Sequence, residues 1–484
     1  MKTPLCAGRF FLFSLLLLWP ALSPAQLSEK WLNQFSSTAS LSSDKAEALA
    51  LDGSGNAYIT GESNGDFLTL KYNPDGSRKW AVTYNGTGSS ADGATAIGVD
   101  GSGNVYVTGW STGSGSGTDI VTIKYGTDGS TKWVARHNGP LGGEDRPYAL
   151  GVDGSGNVVV TGKVAFAPDN DNFITIKYNK DGVRLWYALY NSLGKETSRK
   201  TAKALALDAS GNIYITGSGF NSSGQETYTT IKYNANGLQQ WVATGPAHSA
   251  ANDLAVDGSG NVYVTGGIYD GVADFYTVKY SPAGAPIWSK AFNSGFVDGR
   301  NNIDQAYALA LDGSGNVIVA GGSEYDGDQK DYATVKYSPA GVQLWSAKYD
   351  GPGGGNDYPF DLATDGSGNI YVTGQSDGGD TGLDFATLKY DKNGVQKWLR
   401  RFNGTGNGFD GARALKLDKS GNLYVAGRSV GAGTSDDYLL LKYGTDGSTK
   451  WTKRYAPSSA KMAEGPITRT TNKKFTVPTR KLNY

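Results

Sequence analysis

The chain has 484 residues, with 45 basic and 45 acidic side chains, and its only cysteine is Cys6. Residues 26–456 carry 37 basic and 44 acidic side chains, and this negative balance argues against a nucleic-acid-binding protein. The lack of cysteine after Cys6 excludes disulfides, a thiolate nucleophile and a thiolate metal site from the rest of the sequence. Glycine is abundant, at 69 residues, but the aromatic content of 12% is too high for a disordered chain, so we expect the glycines at turns.

Residues 1–25 are predicted to be a secretory signal peptide. Lys2 and Arg9 precede an apolar run at residues 10–19, and Ser23-Pro24-Ala25 offers a cleavage site of small residues. The run is too short to span a bilayer, and a buried N-terminal helix is the alternative interpretation. The sequence therefore predicts export, to the cell surface, the periplasm or the medium.

Residues 26–456 contain a unit that is repeated eight times with a period of about 52 residues. Each unit has four short runs rich in Val, Ile, Tyr and Thr, which are separated by turns rich in Gly, Asp and Asn, as in antiparallel strands. We predict an all-β fold, an eight-bladed β-propeller of four-stranded antiparallel blades. The aspartate that begins the first turn of each unit is Asp52, Asp100, Asp153, Asp208, Asp257, Asp312, Asp365 and Asp418.

Three further residues recur in the third and fourth strands of each unit. A tryptophan in strand four is preceded by a glycine four residues earlier, and each indole is predicted to pack between adjacent blades. A lysine in strand three is expected to place its amine at the blade surface. The tryptophans are Trp80, Trp133, Trp186, Trp241, Trp288, Trp345, Trp398 and Trp451. The lysines are Lys71, Lys124, Lys177, Lys232, Lys279, Lys336, Lys389 and Lys442.

The two ends of the repeat region suggest how the ring closes. Residues 29–32 (EKWL) resemble residues 78–81 (RKWA), and they precede the first complete unit. We expect the Trp31 strand to join the last blade beside the Trp451 strand and so close the ring. Residues 457–484 hold six basic side chains and one acidic side chain, and we predict a flexible tail.

The pattern A-x-A-L-A-x-D-G-S-G-N-x-Y-V-T-G, followed by D-F-x-T-x-K-Y-x-x-x-G-x-x-x-W, resembles the bacterial SBBP-type β-propeller repeat over about residues 31–455. The resemblance implies an exported or cell-surface protein and brings no catalytic motif. Because the family name implies seven blades, a seven-bladed propeller with an extra repeat is the alternative fold. The G-x-x-x-W element is also similar to the tryptophan-docking motif of eight-bladed quinoprotein dehydrogenases, although those enzymes usually show a vicinal cysteine pair that this chain lacks.

Binding is predicted on the face that carries the long and variable connections between strands two and three and between strands four and one. An aspartate lies there eight residues before the turn aspartate in six units, and Lys200 and Ser249 break the series. These carboxylates could hold calcium or sugar hydroxyls, or instead accept hydrogen bonds from their own loops. The candidates are Asp44, Asp92, Asp145, Asp304, Asp357 and Asp410.

Other candidate residues carry weaker signals. A second acidic series opens strand three, at Asp66, Asp119, Asp274, Asp331, Asp384 and Asp437. Trp110, interpreted as a loop residue, could stack on a sugar ring or pack locally. The D-G-S-G-N turn is interpreted as a hairpin turn and not as a calcium loop, because it lacks the glycine and the acid that such loops need. His137 and His248 lie in different units and offer no His-rich metal site.

We therefore expect a non-catalytic binding scaffold that meets a protein or a glycan at the cell surface, with no cofactor and no nucleic-acid partner. The main alternative is a carbohydrate-active enzyme, a glycoside hydrolase or lyase, using acids outside the repeat pattern such as Glu144, Glu196 and Asp298. A purely structural surface component and a quinoprotein-like dehydrogenase are lesser alternatives.

Overall fold

The computed structural model describes residues 43–88, 90–115, 117–167, 170–191, 200–269, 273–294, 304–324 and 329–456. These residues form eight four-stranded antiparallel sheets arranged in a ring, and each sheet is built from four consecutive strands. The prediction of an eight-bladed all-β propeller is confirmed, and the seven-bladed alternative is wrong. No helix in these segments could cross a membrane. The predicted signal peptide, the Trp31 strand and the basic tail lie outside the described residues.

The first four blades cover the N-terminal half of the ring. Blade 1 contains β1 (Asp44–Leu51), β2 (Ala57–Ser63), β3 (Asp66–Tyr72) and β4 (Arg78–Tyr84). Blade 2 contains β5 (Asp92–Val99), β6 (Val105–Thr112), β7 (Thr118–Tyr125) and β8 (Thr131–His137). Blade 3 contains β9 (Arg146–Val152), β10 (Val158–Ala167), β11 (Asn170–Tyr178) and β12 (Arg184–Tyr190). Blade 4 contains β13 (Thr201–Leu207), β14 (Ile213–Phe220), β15 (Glu226–Tyr233) and β16 (Gln239–Ala247).

The last four blades follow the same plan. Blade 5 contains β17 (Ser249–Val256), β18 (Val262–Tyr269), β19 (Ala273–Tyr280) and β20 (Pro286–Phe292). Blade 6 contains β21 (Gln305–Leu311), β22 (Val317–Glu324), β23 (Lys330–Tyr337) and β24 (Gln343–Tyr349). Blade 7 contains β25 (Tyr358–Thr364), β26 (Ile370–Asp377), β27 (Leu383–Tyr390) and β28 (Gln396–Phe402). Blade 8 contains β29 (Gly411–Leu417), β30 (Leu423–Val430), β31 (Asp436–Tyr443) and β32 (Thr449–Tyr455).

The first strand of each blade is innermost. The first strands of neighbouring blades contact one another around the ring, from β1 and β5 through to β29 and β1, so they surround a central channel. Strands two and three lie in the interior, and β11 is buried along its whole length. Strand four is the outer edge, where β12 has no fully buried position. The near-continuous apolar and Thr residues of the middle strands fit a sheet that is covered on both faces.

Each strand-four indole docks on the following blade. Its Nε1 donates to a carbonyl oxygen in that blade's turn between strands three and four, at 3.0–3.4 Å in all eight cases. Trp345, for example, donates to Lys392 O at 3.1 Å and lies against Gly394 of the same turn. The repeated glycine and the repeated tryptophan therefore belong to one contact between neighbouring blades.

The repeated lysine differs from its expected placement. Lys336 is 2% exposed, and its Nζ lies 2.9 Å from Asp312 Oδ2 and 3.2 Å from Lys392 O of the next blade. Instead of reaching the blade surface, the amine is held at the carbonyl that also accepts the Trp345 hydrogen bond. A buried ammonium needs such partners because leaving water costs free energy.

The seam between blades 8 and 1 uses the same contacts. Trp451 Nε1 and Lys442 Nζ donate to Pro74 O at 3.0 and 3.1 Å. Tyr424 OH donates to Gly55 O at 2.9 Å, as Tyr106 OH donates to its neighbour's turn in the seam between blades 2 and 3. Within residues 43–456, side chains close the ring, and blade 8 takes all four of its strands from its own unit.

Gly394→Ala should destabilise the propeller by about 2 kcal/mol, because its φ of 85° disfavours a side chain and a Cβ would lie 2.7 Å from Trp345 Cδ2. The control is Gly366→Ala, since a Cβ there would meet no described atom within 4 Å. Urea unfolding of both variants measures the difference. Equal midpoints would show that the indole does not need this close approach.

Candidate functional site

The six predicted aspartates that precede strand one are fully buried, each at 0% exposure. Asp92 Oδ2 accepts a hydrogen bond from Gly86 N at 2.5 Å, and Oδ1 accepts one from Thr112 N at 3.0 Å. The carboxylates of Asp145, Asp357 and Asp410 accept two equivalent backbone bonds. These contacts join the connection between blades to the end of strand two. They agree with the alternative interpretation of the sequence, in which each aspartate accepts hydrogen bonds from its own loop.

The two exceptions in this series occupy the same buried position with different chemistry. Lys200 Nζ donates to Asn170 Oδ1 at 2.9 Å, and Ser249 Oγ donates to Pro246 O at 2.6 Å. Burial raises the pKa of Asp145 to about 6, against the opposing hydrogen bonds from Gly139 and Ala165. The position therefore serves the loop whether it carries an acid, a base or a hydroxyl.

Four acids of the second series are paired with a basic residue of strand four. Arg136 bonds Asp119 at 2.6 Å, Arg401 bonds Asp384 at 2.9 Å, Arg454 bonds Asp437 at 3.1 Å and Lys348 bonds Asp331 at 2.7 Å. In the described chain, the one group of three acids close enough to share a metal ion is Asp331, Asp350 and Asp357. Lys348 and backbone N–H groups already bind two of these three carboxylates.

Trp110 lies in β6 and not in a loop, so the loop interpretation was wrong. Its ring packs on Gly93, where a Cβ would lie 2.9 Å away, and the Arg146 guanidinium sits 4.5 Å from the ring centroid. Glu144 binds Arg146 Nε at 2.5 Å and Lys163 Nζ at 2.9 Å. The hydrogen bond from Lys163 is the largest influence on Glu144 and lowers its pKa, which is opposite to the need of a general acid. Glu196 and Asp298 lie outside the described residues.

Two clefts open at the outer edge of the ring. A cleft of 570 Å³ between blades 4 and 5 is lined by Pro246, Tyr276 and Trp288 among others. A cleft of 380 Å³ between blades 2 and 3 contains His137, whose Nδ1 lies 3.3 Å from Arg184 Nη1. Burial, and then the Arg184 charge, lower the pKa of His137 and keep its ring neutral at pH 7. These linings, as described, place no carboxylate beside a nucleophile.

The sequence interpretation overlooked one position of strand one. Each first strand has a register shift in its pairing with strand two, and the residue that is skipped lies five positions before the turn aspartate. A β-bulge re-aims a side chain, and here it lies on the innermost strand. The eight residues, which we name the bulge ring, are Glu47, Thr95, Tyr148, Lys203, Asn252, Tyr307, Phe360 and Arg413.

A sequence signal marks this position. In five units it is the variable residue of an Ala-x-Ala triplet, as in Ala46-Glu47-Ala48 and Ala412-Arg413-Ala414. The preceding alanines Ala46 and Ala412 are 0–1% exposed because they face the blade interior, whereas the bulge-ring side chains are all at least partly exposed. Exposure at the innermost strand means contact with the water of the channel.

Bulge-ring side chains contact their neighbours from blade to blade. Lys203 Nζ donates to Asn252 Oδ1 at 2.7 Å, and Asn252 Nδ2 donates to Ala306 O at 2.7 Å. The rings of Tyr307 and Phe360 lie 6.2 Å apart, and the Arg413 guanidinium lies 4.3 Å from the Phe360 centroid. Blades 4 and 5 therefore present an amine and an amide, and blades 6 and 7 present aromatic rings.

The aromatic arc is extended by one residue outside the bulge ring. Tyr358 begins β25, and its ring is nearly parallel to that of Phe360, with an interplanar angle of 17° and centroids 6.4 Å apart. We name Tyr307, Tyr358 and Phe360 the aromatic wall. Strand one starts at the face of the long connections, so bulge residues lie about 10 Å below that face, at roughly 3.3 Å per residue.

Charge at the ring is concentrated on Glu47, Lys203 and Arg413. Burial raises the pKa of Glu47, against the opposing charges of Arg413, Arg428 and Lys45. Burial lowers the pKa of Arg413, against the charge of Glu47. Within the described chain, Arg413 makes a cation–π contact with Phe360 but no hydrogen bond or ion pair. Its N–H donors remain available to a ligand in the channel.

Asp253 follows the bulge in β17 and occupies a position that is alanine in most blades. Its oxygens accept hydrogen bonds from Leu254 N and, in the next blade, Leu309 N, both at 2.8 Å. Burial raises its pKa from 3.8 to about 7, and the like charge of Asp361 adds to the shift. The folded state thus retains a proton that the unfolded state releases between these two pH values.

The stability of the protein should therefore fall as pH rises from about 4 to about 7 at this site. Relative to wild type, Asp253→Asn should gain about 2 kcal/mol in unfolding free energy between pH 5 and pH 8, because the variant has no carboxylate to ionise. Urea unfolding at four pH values over this interval measures the gain. A stability difference that stays constant from pH 5 to pH 8 would contradict the raised pKa.

Residues 30–67 and 349–380 match the SBBP family, described as a beta-propeller repeat. A protein of unknown function from Bacteroides caccae is similar in structure with a TM-score of 0.36 and 14% identity, over 61% of this chain and 93% of that chain. A eukaryotic initiation factor is similar with a TM-score of 0.43 and 8% identity, over 85% of this chain and 88% of that chain. No curated protein matches the chain. Two segments of the chain therefore match SBBP-type beta-propeller repeats.

Proposed function

We propose that the protein is an exported, non-catalytic binding scaffold, secreted or at the cell surface, whose ligand enters the channel from the face of the long connections. The observation that carries the proposal is the bulge ring. Eight structurally equivalent positions there carry seven residue types, while the turn aspartates, the docking tryptophans and the strand-three lysines are the same in every blade. Residues that serve the blade recur in each repeat, whereas recognition of an asymmetric ligand requires departures from the repeat.

The described acids support a binding role over catalysis. The buried aspartates before strand one accept backbone hydrogen bonds, as Asp92 does. Four acids of strand three form ion pairs with basic residues, and Glu144 forms ion pairs with both Arg146 and Lys163. The turn aspartates are used by their own hairpins, as Asp52 is by Ser54 N, Asn56 and Tyr58 OH. These contacts leave few carboxylates free for acid–base work.

Screening the purified chain from residue 26 onward on glycan and surface-protein arrays, with and without calcium, tests the binding role. Tyr307→Ala should abolish capture of whichever ligand is found, because its ring lies in the channel. Leu185→Ala, at an exposed apolar side chain of the outer edge, is the control and should leave capture unchanged. Capture that is insensitive to Tyr307 and sensitive to Leu185 would move the site to the outer edge.

Export rests on the charged and apolar pattern of residues 2–25. Fractionating cells that express the full chain, beside cells that express the chain without residues 1–25, tests it. We expect the full chain outside the cytoplasm and with its N-terminus near residue 26. Full-length protein retained in the cytoplasm would contradict export.

One observation favours a second candidate, a glycoside hydrolase or lyase. Asp253 and Asp361 depart from the repeat at the same position of β17 and β25, their charges interact, and Asp253 has a pKa raised to about 7. Glycoside hydrolysis uses two carboxyl groups, one of which is a general acid with a raised pKa. Release of reducing ends from polysaccharides by wild type, lost in Asp253→Asn and in Asp361→Asn, would establish this activity. Absence of release with retained binding would leave the scaffold role.

A further inference from the structure

We infer that the aromatic wall and Arg413 form a subsite for a sugar that carries a carboxylate, such as a uronic acid unit of an acidic polysaccharide. The inference rests on the proposed function, because it specifies the ligand of the same channel. It follows from four side chains on three consecutive blades: Tyr307, Tyr358, Phe360 and Arg413.

The aromatic wall offers an apolar surface on the innermost strands of blades 6 and 7. Tyr358 and Phe360 are nearly parallel, and Tyr307 lies 6.4 and 6.2 Å from them, so the three rings make one continuous surface. Burial raises the pKa of Tyr307 and of Tyr358, which keeps both hydroxyls neutral and able to donate hydrogen bonds. A ring face with hydroxyl groups at its edge matches a pyranose, which has an apolar C–H face and a hydroxylated rim.

Arg413 supplies the charge selectivity. Its guanidinium is held 4.3 Å from the centroid of Phe360, so one face is covered and its N–H edge remains unpaired among the described residues. A planar guanidinium matches the two oxygens of a carboxylate better than an ammonium does. A carboxylate that enters the channel could pair directly with the partly buried Arg413 guanidinium, which has the charge of Glu47 nearby but no ion pair within the described chain.

Three bulge-ring side chains on the other side of the channel, Thr95, Lys203 and Asn252, already have hydrogen-bond partners. Lys203 donates a hydrogen bond to Asn252, and Asn252 donates one to Ala306 O, so both side chains are held in place. Thr95 Oγ1 donates to Pro147 O at 3.1 Å. Lys203, Asn252 and Thr95 thus bind groups of neighbouring blades, whereas Arg413 has no hydrogen bond or ion pair within the described chain. The ligand should therefore bind off the channel axis, against blades 6, 7 and 8.

Isothermal titration of the chain from residue 26 onward tests the inference with three probes of equal length: an oligogalacturonate, its methyl ester and a neutral gluco-oligosaccharide. We expect the acid to bind about tenfold to a hundredfold more tightly than the ester, and the preference to shrink as salt is raised. Arg413→Gln should remove the preference, and Arg413→Lys should restore part of it. The matched control is Arg184→Gln, which removes an arginine 5.0 Å from Tyr187 at the outer edge and should leave binding unchanged.

The possible results distinguish the acidic-sugar subsite from the more general role of a binding scaffold. One result would overturn the inference and keep the binding scaffold. In that case a neutral glycan or a surface protein is captured in a way that depends on Tyr307, but the protein does not prefer the oligogalacturonate to its methyl ester. If an acidic peptide such as polyglutamate binds as tightly as the oligogalacturonate, the sugar specificity is overturned. If no ligand of any class depends on the bulge ring, the proposed function fails as well. Thermal midpoints of the variants, measured in the same buffers, exclude unfolding as the cause of lost binding.

Discussion

Trp345→Ala should lower the free energy of unfolding by about 3–5 kcal/mol. The change empties the space between blades 6 and 7, removes the hydrogen bond to Lys392 O and leaves that carbonyl with the Lys336 bond alone. The indole also lies 6.1 Å from the Tyr390 ring and packs against the core that blades 6 and 7 share. Because each blade depends on its neighbours, the loss should appear as a lower midpoint in urea unfolding.

The control for this prediction is Trp110→Ala. That tryptophan is a strand-two residue packed on Gly93 beneath Arg146, and it does not dock on the following blade's turn between strands three and four. We expect a much smaller loss of stability. Equal losses for Trp110 and Trp345 would show that indole burial in general, and not docking between blades, stabilises the ring.

Lys336→Met should cost about 3 kcal/mol, although methionine fills a similar volume. The side chains of Lys336 and Asp312 are only 3% and 4% exposed, so the substitution leaves a carboxylate in the interior without its cation. Burial raises the pKa of Asp312, but hydrogen bonds from Asn316 and Lys336 outweigh it and lower the pKa in the folded state. The deficit should therefore shrink in acid, as Asp312 becomes protonated.

Lys180→Met is the comparison. Lys180 and Asp181 form an ion pair at 3.4 Å with both side chains 65% exposed, and a solvated pair of this kind contributes little to stability. Urea unfolding of both variants at pH 7 and at pH 4 measures the two effects. A Lys336→Met variant as stable as Lys180→Met at pH 7 would contradict the structural role of the buried pair.

The blades could be predicted from the sequence because their determinants are local and repeated. The Asp52 turn closes on its own Asn56 and Tyr58, and the recurrent Gly-x-x-x-Trp spacing, as in Gly394 and Trp398, marks the fourth strand of each sheet. What could not be read from these patterns is which atoms meet across a seam. The carbonyl of Lys392, which accepts both Trp345 and Lys336, carries no side-chain signal at all.

The candidate site was harder to predict for a geometric reason. The aspartates before strand one were candidate binding residues because acids were expected near the channel mouth. In the structure, however, the Asp92 carboxylate accepts hydrogen bonds from the backbone of Gly86 and Thr112. The channel side chains were missed because a bulge breaks the period-two alternation that assigns a strand residue to a face. Glu47 follows the buried Ala46, and Arg413 lies between the buried Ala412 and Ala414, so only the register shift reveals that the two side chains face the water.

The uniform seams have a consequence for how such a receptor can change. Every blade meets the following one through the same tryptophan and lysine hydrogen bonds, so these contacts do not distinguish one blade from another. Exchanging one blade for another would therefore change the side chains that the blade presents to the channel while keeping the tryptophan and lysine contacts. The order of the eight bulge-ring side chains around the channel, and hence the ligand, could then change without any change in how the blades pack.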